Sequence, residues 1–111
     1  MRKIYFMANI SLKDVIDALP ETLERQYITI GRRCFTNEER ERLIPVSRNY
    51  NQTRLISMAI GKKVTEVTDE EFNEIKFRTG DVIYVAIISE EMPVDAQTVR
   101  DSIYKIDFMC L

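Results

Sequence analysis

The run Val82-Ile83-Tyr84-Val85-Ala86-Ile87-Ile88 is apolar at every position, and most of its residues are β-branched. A strand with one face in water would alternate; a run with no polar position needs cover on both faces, so it reads as the central strand of a sheet. Thr79-Gly80-Asp81 stands before it as a turn dominated by Gly and Asp. Residues 72–78 upstream are strand-like, so 72–88 reads as a hairpin.

Working outward, Ile4-Tyr5-Phe6-Met7 is a short apolar run ended by Asn9, a buried first strand. Ser11 follows as a helix cap with Asp14 three residues on, and Leu12, Val15, Ile16 and Leu19 share one helical face before Pro20 stops it. Residues 27–30 carry β-branched and aromatic side chains and read as a second strand. Residues 36–44 admit two readings: Thr36 with Glu39 forms a capping box, and a hairpin turning near Thr36-Asn37 fits the flanking apolar positions. Pro45 discourages helix at Ile44 and opens a polar loop, Ser47-Arg48-Asn49-Tyr50-Asn51-Gln52-Thr53. A helix from about residue 51 to 60 then places Leu55, Ile56, Ala59 and Ile60 on one stripe, with Gly61 as its left-handed terminator. After Pro93, Asp95 caps a short helix through Val99 and Ile103, and residues 104–109 return as a last strand. The expected fold is therefore one α+β domain over residues 1–111, with a mixed sheet of about five strands and two or three short helices.

Composition narrows the function. The chain has 111 residues, 45% hydrophobic and 31% charged, enough for a core without metal or disulfide staples. Cys34 and Cys110 lack metal-ligand spacing and there is no histidine, so no metal and no cofactor is expected. Cys34 follows Arg32-Arg33, which suits either a reactive thiol or, more commonly, a small buried apolar residue. Gly31, Gly61 and Gly80 are isolated, which excludes a phosphate-binding glycine loop. Asp69-Glu70-Glu71 reads as a solvated turn or helix start. Residues 4–8 are too short a run for a signal or a membrane span, so a cytoplasmic protein, in a host cell if viral, is expected.

The net charge of −2 conceals an imbalance: residues 25–63 hold nine Lys or Arg against three acids, a local +6, while residues 64–111 carry −7. Such a segment suits an anionic partner, or else the segments neutralise each other across the fold or a subunit interface. With a sequence pI of about 5.2, general DNA coating is not expected, and any anion held is small or specifically placed. The loop at residues 47–53 is the candidate site: unpaired N–H groups at a helix start, Arg48 and Arg54 on either side, and hydroxyl and amide side chains between them make a phosphate receiver. The ligand set is Ser47, Arg48, Asn49, Tyr50, Asn51, Thr53 and Arg54, with the arginines on phosphate, Tyr50 stacking on a base and the amides reading its edge. No catalytic residue is assigned, because the commonest general acid and base is missing.

Three strings carry a family resemblance: Lys3-Ile4-Tyr5-Phe6-Met7-Ala8-Asn9, Ser57-Met58-Ala59-Ile60-Gly61, and Ile75-Lys76-Phe77-Arg78-Thr79-Gly80-Asp81 leading into the hydrophobic strand. In these and in its order of elements the chain resembles the small crenarchaeal-virus and phage protein family that includes the viral type III anti-CRISPR ring nucleases. The resemblance implies a homodimer that binds cyclic tetra-adenylate along its two-fold axis. In active members it also implies metal-independent cleavage, in which a ribose 2′-hydroxyl attacks phosphorus and the histidine of a Gly-His pair acts as acid. That pair corresponds here to Arg48-Asn49, and the family's arginine after the central strand corresponds to Ser89-Glu90-Glu91. The expectation is thus a homodimeric binder of a small anionic nucleotide, with cyclic oligoadenylate the candidate that the resemblance implies, and at most a metal-independent phosphodiesterase using Tyr50 or Lys62. The alternative is a phage or mobile-element inhibitor module that sets its basic segment against an acidic protein.

Overall fold

The computed structural model describes residues 3–8, 12–19, 28–48, 53–78, 80–87 and 95–107. Strands and helices alternate strictly: β1 Ile4–Ala8, α1 Leu12–Asp17, β2 Thr29–Arg32, α2 Asn37–Arg42, β3 Leu43–Ser47, α3 Thr53–Ile60, β4 Thr65–Glu66, α4 Asp69–Glu74, β5 Val82–Ala86, α5 Ala96–Asp101 and β6 Ile103–Asp107. The strands form one sheet in the order β2-β6-β5-β1-β3-β4. β5, β1, β3 and β4 run parallel, whereas β6 is antiparallel to β5 and to β2. The α+β domain with a mixed sheet stands as expected, but the described residues hold six strands rather than about five and five short helices rather than two or three.

β5 occupies the interior position its sequence calls for, and alternate residues serve opposite layers. Val82, Tyr84 and Ala86 join Ile4, Phe6 and Ala8 under α3 and α5, while Ile83 and Val85 join Tyr5 and Met7 under α1 and α4. All five residues of each of β1 and β5 are buried, and burial of one such apolar side chain stabilises by about 1.5–3 kcal/mol. On the first face Ile56, Ala59 and Ile60 of α3 and Val99 of α5 make the contact; on the second, Val15 and Leu19 of the α1 segment and Phe72 of α4 do.

The hairpin expected over residues 72–88 is not formed. Phe72 lies in α4, whose start is fixed by a reciprocal capping box: Thr68 Oγ1 accepts from the Glu71 N–H at 3.1 Å and Glu71 Oε1 accepts from the Thr68 N–H at 3.0 Å. Asp69-Glu70-Glu71 is therefore a helix start. Phe77, after the helix, stacks edge-on against Tyr5. Asp81 then leads into β5 and not into a hairpin, accepting from the N–H groups of Arg78 at 2.9 Å and Lys3 at 3.2 Å, which ties the starts of β5 and β1 together.

Residues 36–44 take the helical alternative. Thr36 and Glu39 close a second capping box over α2, and Leu43 passes directly into β3. β3 replaces part of the expected loop and accommodates Pro45 for a geometric reason. The Ser47 carbonyl accepts from the Val67 N–H at 2.8 Å, so odd-numbered residues of β3 turn their backbone toward β4. β4 pairs only with Val46 and Ser47, so the missing N–H of Pro45 falls on a stretch of edge with no strand opposite. β2 extends the expected strand to Arg32, Ile103 belongs to β6 and not to the preceding helix, and the expected starts at residue 27 and about residue 51 lie outside the described residues. Among the described residues no helix is long and apolar enough to cross a membrane.

Candidate anion-binding site

The central parallel strands end abreast, because Ala8 lies in register with Ser47 on one side and Ala86 on the other. Open parallel sheets commonly receive ligands beyond such carboxyl ends. Of the residues expected to form the site, Ser47 is fully buried as the last residue of β3, and Asn49, Tyr50 and Asn51 lie outside the described residues. Arg48, Thr53 and Arg54 are described, and they divide between two clefts.

Arg48 turns to the α1 and α4 face. Its Nη1 lies 2.9 Å from Asp14 Oδ2, its Nε 3.3 Å from Asp69 Oδ1, and its guanidinium 5.5 Å from the centre of the Phe72 ring. With its side chain only 29% exposed, it links two helices across the end of the sheet. The adjoining cleft of about 300 Å³ is mixed in charge, lined by Asp14, Asp17, Arg48, Asn73 and Lys76 over Phe72. Arg32 also meets an acid, Asp101, at 3.8 Å. These pairs join the basic segment to acids outside it, as in the reading where charges balance across the fold.

Thr53 and Arg54 line the other cleft, of about 750 Å³, between the first half of α3 and β4, with Ser57, Lys63, Val64, Thr65 and Glu66. Its wall is braced at Ser57, whose hydroxyl donates to the Thr53 carbonyl at 2.8 Å and accepts from the Val64 N–H at 3.0 Å. The Thr53 hydroxyl oxygen is buried and has no partner among the described residues. Arg54 and Lys63 are exposed cations at the rim, opposed by one acid, Glu66. Comparison with family models, curated proteins and solved structures returned no match. This cleft is a candidate by its own chemistry: two exposed cations opposed by one acid beside the start of an eight-residue helix.

Ser57, Lys63 and Thr65 stand outside the ligand set expected from the sequence. The β3-α3-β4 crossover brings them to the site, and the only local signal was the short Gly61-Lys62-Lys63 connection between α3 and β4. Lys62 itself is structural: its ammonium donates to the carbonyls of Arg40 at 3.2 Å and Glu41 at 2.9 Å, capping the C-terminal end of α2. Gly61 is held at φ 73°, and a Cβ there would stand 2.9 Å from the Arg40 guanidinium. Cys34 is exposed and not buried; desolvation at its sulfur nevertheless pushes the thiol up, outweighing Arg100 and Arg40.

Proposed function

We propose that the chain binds a small anionic nucleotide, through its phosphate, in the cleft between α3 and β4, and acts as a homodimer. The observation that carries this reading is the pair of exposed cations, Arg54 and Lys63, on a cleft that Thr53, Ser57 and Thr65 also line. A cleft of about 750 Å³ is within the range that holds small ligands. The exposed arginine and lysine supply counter-charge without first breaking an ion pair with Asp14 or Asp69, as Arg48 would have to. Cyclic oligoadenylate is the member of this ligand class that the resemblance singles out, and AMP is its minimal phosphate-bearing unit.

Titration calorimetry with AMP and with cyclic tetra-adenylate, at two salt concentrations, tests the reading. Arg54→Ala and Lys63→Ala are each expected to weaken binding roughly tenfold and to lower the salt slope by about one counterion. Arg48→Ala should leave affinity unchanged, since that side chain lines the other cleft. Unaltered binding in both rim variants would remove the reading. Linear products in the titrated mixture would mark a histidine-free phosphodiesterase, and their absence a pure binder. A chain that binds neither compound would be better described as a protein-interaction module.

A further inference from the structure

We infer that Glu66 determines the specificity of the α3–β4 cleft, accepting hydrogen bonds from the ribose hydroxyls of a ribonucleotide whose phosphate lies on Arg54 and Lys63. The inference rests on the preceding reading for the phosphate and adds the sugar. Three charged side chains line this cleft, Arg54, Lys63 and Glu66, and all three are exposed. None of them forms an ion pair with another described residue. The other cleft differs on this point, since its Arg48 is held between Asp14 and Asp69. A carboxylate left open beside two open cations repels a ligand made only of anionic oxygens and suits one that carries a phosphate together with hydrogen-bond donors.

The backbone puts Glu66 where such donors would arrive. β3, α3 and β4 form a parallel β-α-β unit, with Ser47 and Glu66 in register at the carboxyl ends of the two strands. Because α3 returns between parallel strands, its start, which bears Arg54, lies at the same end of the unit as Glu66. Val64 packs in the core layer of Ile56, Ala59 and Ile60 of α3, whereas Val67 packs in the opposite layer. Side chains alternate along a strand, so Glu66 falls on the same side of the sheet as Val64 and α3. In dinucleotide-binding β-α-β units the phosphate sits at the helix start, and an acid about twenty residues beyond the first strand accepts from the ribose hydroxyl. Glu66 holds that place at about that spacing from Ser47. The glycine turn of those units is missing here, so the phosphate is met by side-chain cations and not by a bare backbone loop.

Titration calorimetry with AMP and with 2′,3′-dideoxy-AMP, which keeps base and phosphate but lacks both hydroxyls, tests the inference on the unmodified protein, Glu66→Ala and Glu66→Gln. Glu66 is exposed on a two-residue strand at the edge of the described sheet, so neither substitution disturbs the core. The unmodified protein is expected to bind AMP about tenfold more tightly than the dideoxy compound. Glu66→Ala should bring AMP down to the dideoxy level and leave the dideoxy compound as tight or slightly tighter, because a negative charge has left the surroundings of the phosphate. Glu66→Gln, which keeps an acceptor without the charge, should fall between. Equal affinity for the two compounds in the unmodified protein overturns the inference and leaves the phosphate reading standing. A Glu66→Ala variant that changes the two compounds alike does the same. Binding of neither compound removes the phosphate reading and this inference with it.

Discussion

The hydroxyl of Tyr84, in a side chain wholly inside the protein, donates to both carboxylate oxygens of Glu39, at 3.0 and 2.9 Å. Phe35 packs edge-on against the same ring and against Phe6. Desolvation first, and then the neighbouring Glu39 carboxylate, push the Tyr84 hydroxyl up to about 12 from an ordinary 10.0. Desolvation would raise Glu39 as well, but hydrogen bonds from Thr36 and Tyr84 hold it below its ordinary 4.5. A depressed carboxyl contributes stability that is present above pH 4.5 and is lost as the pH falls through its folded value. A raised phenol contributes stability that is complete below pH 10.0 and is lost as the pH rises toward about 12. Tyr84→Phe should therefore cost about 1–2 kcal/mol at neutral pH and flatten both the acid and the alkaline limbs of a melting-temperature profile. An unchanged profile would show that the contact carries no stability.

At the scale of elements, α2 and α4 are six-residue helices, too short to persist by propensity alone, and each is fastened by a Thr-x-x-Glu box. Thr68→Ala should destabilise the protein by about 1 kcal/mol, with Thr68→Ser restoring most of it, as read from denaturant midpoints at constant slope. The same four-residue signature was legible in the sequence at Thr36, where it left helix and hairpin open. At Thr68 the signature is disguised, because Phe72, Ile75 and Phe77 mimic a strand beside a Gly-Asp turn; in the fold they are apolar points of a helix and its exit packed on one core. β3 was hidden by Pro45, whose usual meaning in a strand is reversed by the shortness of β4. β1, α1, α3, β5, α5 and β6 were legible because their apolar periods are long enough to override local ambiguity. The candidate site was legible only at Thr53 and Arg54, since strand order, which brings Lys63 and Thr65 beside them, leaves no local trace in a sequence.

For the molecule as a whole, Arg48 acts as a tie across one helical layer, joining Asp14 of α1 to Asp69 of α4 over Phe72. Arg48→Ala should cost about 1–2 kcal/mol, and hydrogen exchange should rise in α1 and α4 while the α3 and α5 layer keeps its protection. Uniform loss of protection in both layers would mean that Arg48 supports the fold globally and not one layer. The order of strands has a further consequence for the protein during its synthesis. β1 precedes every other strand in the chain, yet its neighbours β3 and β5 are completed only at residues 47 and 86. At ordinary translation rates the nascent Ile4–Ala8 segment waits roughly 4–16 seconds for its second neighbour. Until residue 86 is made, Ile4–Ala8 has at most β3 beside it and one edge open, so five residues that end fully buried stay partly uncovered for that interval.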